Sequence, residues 1–401
     1  LYFFIMQIIF GLNPFPYHVC NVLIHVFNSL AVGYLVYLLT RNRMLAFASA
    51  VIFTSRVGHV IAIYWICVTT QSMPLLFFLL SLILYIHHRR SGSLGLLVGS
   101  YVFFALCVFS NINGPSLVVL ITLYDVLIQK DRSPWSILGR ESGFYMIVGV
   151  FLFLQFIVFG YHPPGDYRLS LGPLALQNFG ILNVFACNSL YLITYLTNFS
   201  PPVMVAAGTL AGLATVSIAI AGFFKCARCK FSQGARIPLF FGLWYVWGFV
   251  PYLPLAEHLW PQYITTAAVG FSFLFGCVLD RFLRTRGLAA ALCIMLVVSF
   301  FSIRLFEKEE YETKGIIYKS ELARNVISDL RHNLKYEPHA ERIIILNGKQ
   351  ELWWILQYGT TAGVFLDRYR PIFYLTSPDT IISDPASLVL RYENMRLYIV
   401  R

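Results

Sequence analysis

An arginine and a histidine stand three residues apart inside an apolar run, in the stretch FTSRVGHVIAIYWICV from Phe53 to Val68. Arg56 carries a fixed positive charge with several N–H donors, and His59 carries an imidazole that donates or accepts a hydrogen bond. An arginine at the centre of a membrane costs roughly 2.5–3.5 kcal/mol on insertion scales, so it marks a candidate site there. The pair is suited to an anionic group such as a phosphate or diphosphate.

The composition indicates a membrane around these residues. Of the 401 residues, 58% are hydrophobic and only 12% are charged, whereas soluble domains carry about 25% charged residues. The formal net charge is +11, but residues 1–304 hold 17 of the 30 Lys and Arg and only 6 of the 19 Asp and Glu. This excess lies mostly in short loops between apolar segments, which is typical of the cytoplasmic side of a membrane protein. The distribution of positive charge therefore indicates how the chain is oriented in the membrane, and no nucleic-acid partner is expected.

Apolar segments of spanning length follow one another from residue 17 onward, and about nine spans are predicted. The basic loops that mark the cytoplasmic side contain Arg41/Arg43, Arg89/Arg90, Lys130/Arg132/Arg140, Lys225/Arg228/Lys230/Arg236 and Arg281/Arg284/Arg286. Phe179–Tyr195 is interpreted as re-entrant or interfacial, because a further span there would place KCARCK outside. Leu1–Leu12 is too short to span, so we predict an interfacial helix and expect a further segment upstream.

The sequence pattern of residues 305–401 predicts a small extracytoplasmic α/β domain, which follows the transmembrane domain of residues 1–304. YKSELARNVISDLRHNL has apolar residues at helical spacing, RIIILN and IFYLT are typical of strands, and a helix is predicted from about Lys349. LVLRYENMRLYIV predicts a hairpin that turns near Asn394. This domain has neither a glycine-rich phosphate loop nor a metal-ligand cluster, so we predict a packing and lid role.

On this topology, the outer side holds cationic and imidazole groups but few carboxylates. The candidates for binding an anionic ligand and for lining the mouth of its cavity are Arg56, His59, Glu257, His258, Gln262 and Tyr263, and Asp166 and Arg168 in the long external loop are weaker candidates. Two simpler interpretations stay open: Arg56 could extend to the outer headgroups, and His59 could bridge two helices. Cys226 and Cys229 have the spacing of a zinc knuckle, but no second pair lies nearby, so no metal site is predicted.

Several stretches resemble the GT-C superfamily of membrane glycosyltransferases, and in particular its protein O-mannosyltransferase-like members of family 39. FGLNPFPYHVCNVLIHVFNSLAVGYLVYLL resembles the segment after the first external loop of that family. Across the chain, the matched positions are Gly11, Pro14, His18, Asn21, His25, Phe53, His59, Trp65, Ile66, Ser110, Tyr124, Asp125, Tyr263 and Gly270. Positions that are charged in the family hold Ile61, Asn111, Ile112 and Gln262 instead.

The resemblance implies an inverting hexosyltransferase or mannosyltransferase that takes its sugar from a polyprenyl-phosphate donor within the bilayer. The acceptor would be a protein or glycan on the outer or luminal face of a bacterial inner membrane or the endoplasmic reticulum. On this resemblance, the six candidate residues at the cavity would bind the donor phosphate and sugar, and Asp166 and Arg168 would lie on the acceptor side. The catalytic Asp is expected upstream of Leu1, a divalent cation is a possible cofactor, and His18, Asn21, His25 and Trp65 belong to the structural motif.

Two other functions remain open at this point. One is a non-catalytic GT-C relative that binds the lipid-linked sugar or a partner. The other is a transporter or flippase of an anionic lipid or solute, although such proteins usually contain internal repeats with paired broken helices. The sequence has one candidate break, at Pro201-Pro202, and no clear counterpart.

Overall fold

The structure is a computed structural model, and it divides the chain after Leu305 into two compact units, Leu1–Leu305 and Phe306–Arg401. The division falls one residue beyond the predicted boundary. The residues described are 2–11, 13–131, 133–160, 170, 172–197, 200–228, 236–255, 259–282, 286–308, 316–336, 339–346, 352, 372–375, 387–393 and 396–399.

The described part of the first unit is helical. Its α-helices are α1 (Tyr2–Phe10), α2 (Pro14–Thr40), α3 (Arg43–Thr54), α4 (His59–Tyr64), α5 (Thr69–Ser91), α6 (Leu94–Ser110), α7 (Val118–Leu123), α8 (Pro134–Leu152), α9 (Pro173–Ala186), α10 (Asn188–Thr197), α11 (Pro201–Arg228), α12 (Arg236–Trp247), α13 (Ala267–Phe282) and α14 (Arg286–Glu307). Turns of 3-10 helix cover Ile66–Val68, Gly114–Leu117, Val250–Tyr252 and Pro261–Ile264, and π-helical turns cover Tyr124–Ile128 and Phe153–Val158.

Three helical stretches are long and apolar enough to cross a membrane: Pro14–Thr40, Thr69–Ser91 and Pro134–Val158. The nine predicted spans are not confirmed. For example, α3 has only 12 residues, which reach about 18 Å at 1.5 Å per residue, whereas the hydrocarbon layer is about 30 Å thick. The helices α11 and α14 have 28 and 22 residues, but several of their side chains lie outside the described residues.

Local sequence signals set the ends of the helices near the candidate site. Asn13 caps α2 by accepting a hydrogen bond from the Phe15 N–H at 3.1 Å, with Pro14 at the first helical position. The same helix ends at Arg41, which has a left-handed φ of 60°. Asn42 then caps α3 by accepting from the Leu45 N–H at 3.1 Å, so two residues separate the two helices.

Large aromatic side chains fill the centre of the first unit, where Phe78 contacts Trp244 edge to face and Phe241 stacks on Phe273. On the outside, α2, α8 and the π-helical turn that follows α8 expose apolar side chains such as Leu30, Met146 and Ile157. An apolar exterior around a packed interior is what lipid-facing helices require, and these helices therefore have the character of a membrane protein.

The segment Phe179–Tyr195, predicted as a single re-entrant or interfacial stretch, contains two helices. The helix α9 has 14 residues and α10 has 10, with an extended residue, Cys187, between them. The break matters for the candidate site because it frees the Ala186 carbonyl and the Asn188 side chain to bond with another part of the chain.

In the described part of the second unit, one helix accompanies a four-stranded sheet. The helix is α15 (Ile316–Tyr336), and the strands are β1 (Arg342–Leu346), β2 (Ile372–Leu375), β3 (Ser387–Glu393) and β4 (Arg396–Ile399). The strand order is β2-β1-β3-β4, in which β1 is parallel to both β2 and β3 and β4 is antiparallel to β3. The predicted hairpin is confirmed, since Glu393 pairs with Arg396 across the turn. The helix predicted from Lys349 lies outside the described residues.

Candidate functional site

Hydrogen bonds and ion pairs join the helix ends that carry basic loops, and we call this part of the first unit the basic end. Arg90 at the end of α5 donates to the Leu38 carbonyl of α2 at 2.9 Å. Arg236 at the start of α12 donates to the Leu127 carbonyl at 3.3 Å. Similarly, Asn42 before α3 donates to Asp280 near the end of α13 at 3.3 Å. These loops therefore lie on one side of the unit.

Asp125 is the centre of a buried polar cluster at the basic end. Its Oδ2 accepts hydrogen bonds from Tyr85 at 2.7 Å, Arg89 at 2.9 Å and Arg140 at 3.1 Å. The carboxylate has no exposed surface, and its Oδ1 has no hydrogen-bond partner in the structure. It lies in the π-helical turn that follows α7, so it ties this turn to α5 and α8. Because Arg89 and Arg140 both pair with this one buried carboxylate, we assign the cluster a structural role.

Arg56 lies away from this basic end, in the connection between α3 and α4, and is only 3% exposed. Its Nε donates to the Ile52 carbonyl at 2.8 Å and its Nη1 donates to the Ala186 carbonyl at 3.0 Å. Its Nη2 contacts Ser55 Oγ at 3.3 Å, and its guanidinium lies 5.4 Å from the centre of the Phe271 ring. These bonds join the end of α3 to the end of α9, so Arg56 acts as a brace in this structure.

Asn188 strengthens the same junction from the first residue of α10. Its Oδ1 accepts from the Val57 N–H at 3.0 Å, and its Nδ2 donates to the Ser55 carbonyl and to Ser299 Oγ of α14. Ser302, one turn further along α14, donates to the Asn188 carbonyl at 3.0 Å. The connection after α3 is thus held by α9, α10 and α14 together.

His59 begins α4 and is almost completely buried beside a second histidine. Its ring centre lies 4.9 Å from that of His25 and 4.6 Å from that of Phe53. The Nε2 of His25 lies 3.2 Å from the Thr54 carbonyl, which assigns the proton of that imidazole to Nε2. Neither ring nitrogen of His59 makes a well-formed hydrogen bond, and its interaction with the Phe53 backbone is weak. This imidazole lies next to the Arg56 brace.

The face of α2 that carries His25 also carries Asn21 and Asn28, at spacings of four and three residues. Asn21 donates weakly to the Ala62 and Ile63 carbonyls, both at 3.4 Å, and accepts from Thr69. Asn28 donates to the Ser72 carbonyl at 2.8 Å. This polar face therefore positions α4 and the start of α5. His18, from the same predicted motif, is half-buried on α2.

The turn Pro261–Ile264 lies directly against the Arg56–His59 connection. A Cβ atom added to Gly58 would be 2.6 Å from the Pro261 carbonyl oxygen and 2.5 Å from Ile264 Cδ1, so only glycine permits this approach. The turn carries the predicted site residues Gln262 and Tyr263.

Both of these side chains are buried. Gln262 Oε1 has no hydrogen-bond partner in the structure, and the Tyr263 ring stacks on Tyr252 with 4.2 Å between the ring centres. The predicted Trp65 is half-exposed and contacts Trp260 edge to face at 5.7 Å. The predicted site residues Glu257, His258, Asp166 and Arg168 lie outside the described residues.

A small polar cavity lies at the start of α5, between the end of α6 and the Val250–Tyr252 turn. Side chains with amide or hydroxyl groups line it, namely Gln71, Asn111, Asn113, Ser116, Tyr252 and Thr266. Its volume is about 20 Å³, which is room for one water molecule. Tyr252 donates to Gln71 Oε1 at 3.0 Å, and Asn111 donates to the Thr70 carbonyl at 2.7 Å.

An apolar groove of about 330 Å³ adjoins this cavity, and we call it the α1 groove. It runs between α1, α5 and α6, and its lining includes Phe3, Met6, Thr70, Met73, Phe109 and Ser110. Pro74 of α5 lines both spaces. From the sequence, Asn111 was only a departure from a family pattern, and the cavity was not predicted. The signal available in the sequence was the polar stretch SNING, residues 110–114, which lies between two apolar segments.

The two spaces are not lined by Arg56 or His59. Within the part of the chain that the structure describes, no group of three or more His, Cys, Asp or Glu residues is arranged to hold a metal ion. Comparison of the chain with known protein families, with curated proteins and with solved structures gives no match. The resemblance to GT-C glycosyltransferases therefore stays a prediction.

Proposed function

We propose that the chain is a GT-C-type glycosyltransferase that binds a polyprenyl-phosphate-linked sugar and transfers the sugar to an acceptor on the outer side of a membrane. The observation that carries this proposal is that one residue, Pro74 of α5, lines both the α1 groove and the polar cavity. A lipid-linked sugar needs such a junction, because its prenyl chain requires an apolar channel and its sugar requires hydrogen-bonding groups.

In this proposal, the prenyl chain occupies the α1 groove and the sugar phosphate faces Gln71, Asn111 and Tyr252. The cavity of about 20 Å³ is much smaller than a sugar, so binding requires the groove and cavity to open. The helix α1 has nine residues and exposes Phe4, Ile8 and Ile9, so it would lie in the membrane interface and move without breaking a span.

The proposed orientation follows from the basic end. Short loops rich in Lys and Arg remain on the cytoplasmic side, so in this proposal the chain is a multi-pass protein whose polar cavity faces the outer side. The Arg56 brace would then stabilise the outer ends of the helices. We assign Arg56 a positioning role, because its donors point at protein carbonyls, and we keep His59 as a candidate for donor binding.

A second candidate, a non-catalytic relative that binds the lipid-linked sugar, is favoured by one observation. Among the described residues of the first unit, the carboxylates of Asp125, Asp131, Glu141 and Asp280 belong to the basic end. None of them lines the polar cavity, so a general base for the acceptor hydroxyl would come from elsewhere in the protein.

The experiment that separates these candidates uses the purified chain in liposomes with radiolabelled polyprenyl-phosphate mannose or glucose. Retention of the donor together with transfer of label to acceptor peptides would support the transferase. Retention without transfer to peptide or glycan acceptors would support the non-catalytic binder. Failure to retain either donor would contradict both and favour the transporter.

The variant Met73→Trp makes this test specific to the α1 groove, because Met73 lines the groove and an indole would fill part of it. Its matched control is Met146→Trp, since Met146 is 67% exposed on the outside of α8. We expect Met73→Trp to reduce donor retention at least tenfold and Met146→Trp to leave it unchanged.

A further inference from the structure

A second apolar groove opens on the outside of the first unit, between α2 and α3, and we call it the α2–α3 groove. Its volume is about 500 Å³, within the usual range for small-molecule sites. Leu30 and Phe47 form its two outer walls and are 61% and 60% exposed. Gly33 forms part of its floor, where a Cβ atom would lie 3.1 Å from the Ala50 Cβ. The groove therefore has the long apolar surface that an acyl chain requires.

Positive charge is concentrated where this groove reaches the basic end. Arg43, the first residue of α3, lines the groove and is exposed, and no ion pair joins it to a described carboxylate. The Arg41 guanidinium lies 5.7 Å from the centre of the ring of Tyr37, another lining residue. Asp280, a carboxylate in this region, accepts a hydrogen bond from Asn42.

The edge of the groove also carries uncharged hydrogen-bonding groups. Tyr34 lines the groove, and its hydroxyl lies 2.9 Å from His87 Nε2 on α5. The groove thus combines an apolar length, two arginines at one end and a phenol beside them. This combination matches a lipid whose acyl chain lies along the helices and whose phosphate meets guanidinium groups.

We propose that the α2–α3 groove is a binding site for an anionic phospholipid, with an acyl chain between Leu30 and Phe47 and the phosphate at Arg43 and Arg41. Charge complementarity decides in favour of this occupant over a neutral lipid. The inference uses the proposed membrane orientation, which places this end in the leaflet that carries anionic lipids. It does not depend on glycosyl transfer, because the groove is separate from the α1 groove.

Native mass spectrometry of the purified full chain, titrated with phosphatidylglycerol or phosphatidylcholine, tests the proposal. We expect the wild type to retain phosphatidylglycerol preferentially. Arg43→Gln should weaken its retention about fivefold, the effect of losing one arginine near a lipid phosphate. Arg43→Lys should restore most of it, because a lysine keeps the charge. Lys130→Gln is the matched control, since Lys130 is an exposed cation of the basic end that does not line the groove.

Two further measurements keep the proposal falsifiable. Inorganic phosphate added in excess should leave phosphatidylglycerol bound, whereas complete displacement would mean that the arginines recognise free phosphate and would overturn the lipid site. A photoactivatable phosphatidylglycerol should crosslink to the wild-type chain at Phe47, and a Phe47→Cys variant that forms a disulfide with a second copy of the chain in the membrane would also overturn it. Equal retention of both lipids, or an Arg43→Gln variant that behaves as wild type while melting at the same temperature, would contradict it directly.

Discussion

The Nη1 of Arg56 donates a hydrogen bond to the backbone carbonyl of Ala186 at 3.0 Å, across 130 residues of sequence. The acceptor is available because α9 ends there and its last carbonyls have no partner within the helix. An arginine that looked in the sequence like a phosphate ligand is used here to fix two helix ends to each other. The candidate donor-binding groups His59 and Gln262 lie beside this brace, so the brace sets their position.

Removing the brace should lower the stability of the first unit. We expect Arg56→Met to reduce the free energy of unfolding by about 1–3 kcal/mol, because the Ala186 carbonyl loses its charged donor while buried. Arg56→Lys should recover only part of this, since an ammonium cannot reproduce the planar arrangement of the guanidinium bonds. Thermal unfolding in detergent measures both, and a lysine variant as stable as wild type would contradict the brace.

Gly58 allows the turn that carries Gln262 to pack against the Arg56–His59 connection. We expect Gly58→Ala to destabilise the protein by about 1–3 kcal/mol, because its Cβ would meet the Pro261 carbonyl at 2.6 Å. The control is Gly139→Ala in α8, where an added Cβ has no neighbour within 4 Å. The same melting experiment applies, and equal melting temperatures for the two variants would show that the close approach is absent.

Asp125 should be the most sensitive carboxylate of the basic end. The variant Asp125→Asn leaves Arg89 and Arg140 without the buried charge that both of them contact, and we expect a loss of about 3 kcal/mol, since Asp131 still pairs with Arg140. Unfolding of the purified variant in detergent measures this loss. The isosteric Tyr85→Phe change, which removes one donor to the same oxygen, should cost only about 1 kcal/mol. The reverse order of these effects would contradict the assignment of Asp125 as the centre.

Asp131 supplies a pH-dependent contribution at the same end. A hydrogen bond from Arg140 holds the pKa of this carboxyl below its usual value, so the pair stabilises the folded state above the ordinary Asp pKa. The contribution should disappear as the pH falls through the lower, folded pKa. Comparing the melting temperatures of wild type and Asp131→Asn at pH 7 and at a pH well below the ordinary Asp pKa of about 3.9 tests the sign. The difference should be small at pH 7 and vanish in acid, and a difference that grows in acid would contradict it.

The sequence predicted those features whose causes are local. The helix α2 was recognisable from its length and apolar content, and the β3–β4 hairpin from alternation around a turn, because both patterns report neighbouring residues. The nine predicted spans were not confirmed, since helices such as α3 are shorter than a bilayer core requires. The break at Cys187 could not be predicted, because it lies within one continuous apolar stretch. The Arg56 brace could not be predicted, because its acceptors are backbone carbonyls created by a helix end far away in sequence. The polar cavity was missed for a similar reason, since Gln71, Asn111 and Tyr252 meet only after folding.

In the proposed function, the α1 groove and the polar cavity together bind a polyprenyl-phosphate-linked sugar. The most direct measurement is equilibrium retention of radiolabelled polyprenyl-phosphate mannose or glucose by wild type, Met73→Trp and Met146→Trp in liposomes. We expect saturable retention of one of these donors by wild type and Met146→Trp, and a loss of at least tenfold in Met73→Trp. Retention that is equal in all three proteins, or absent from the wild type, would contradict it.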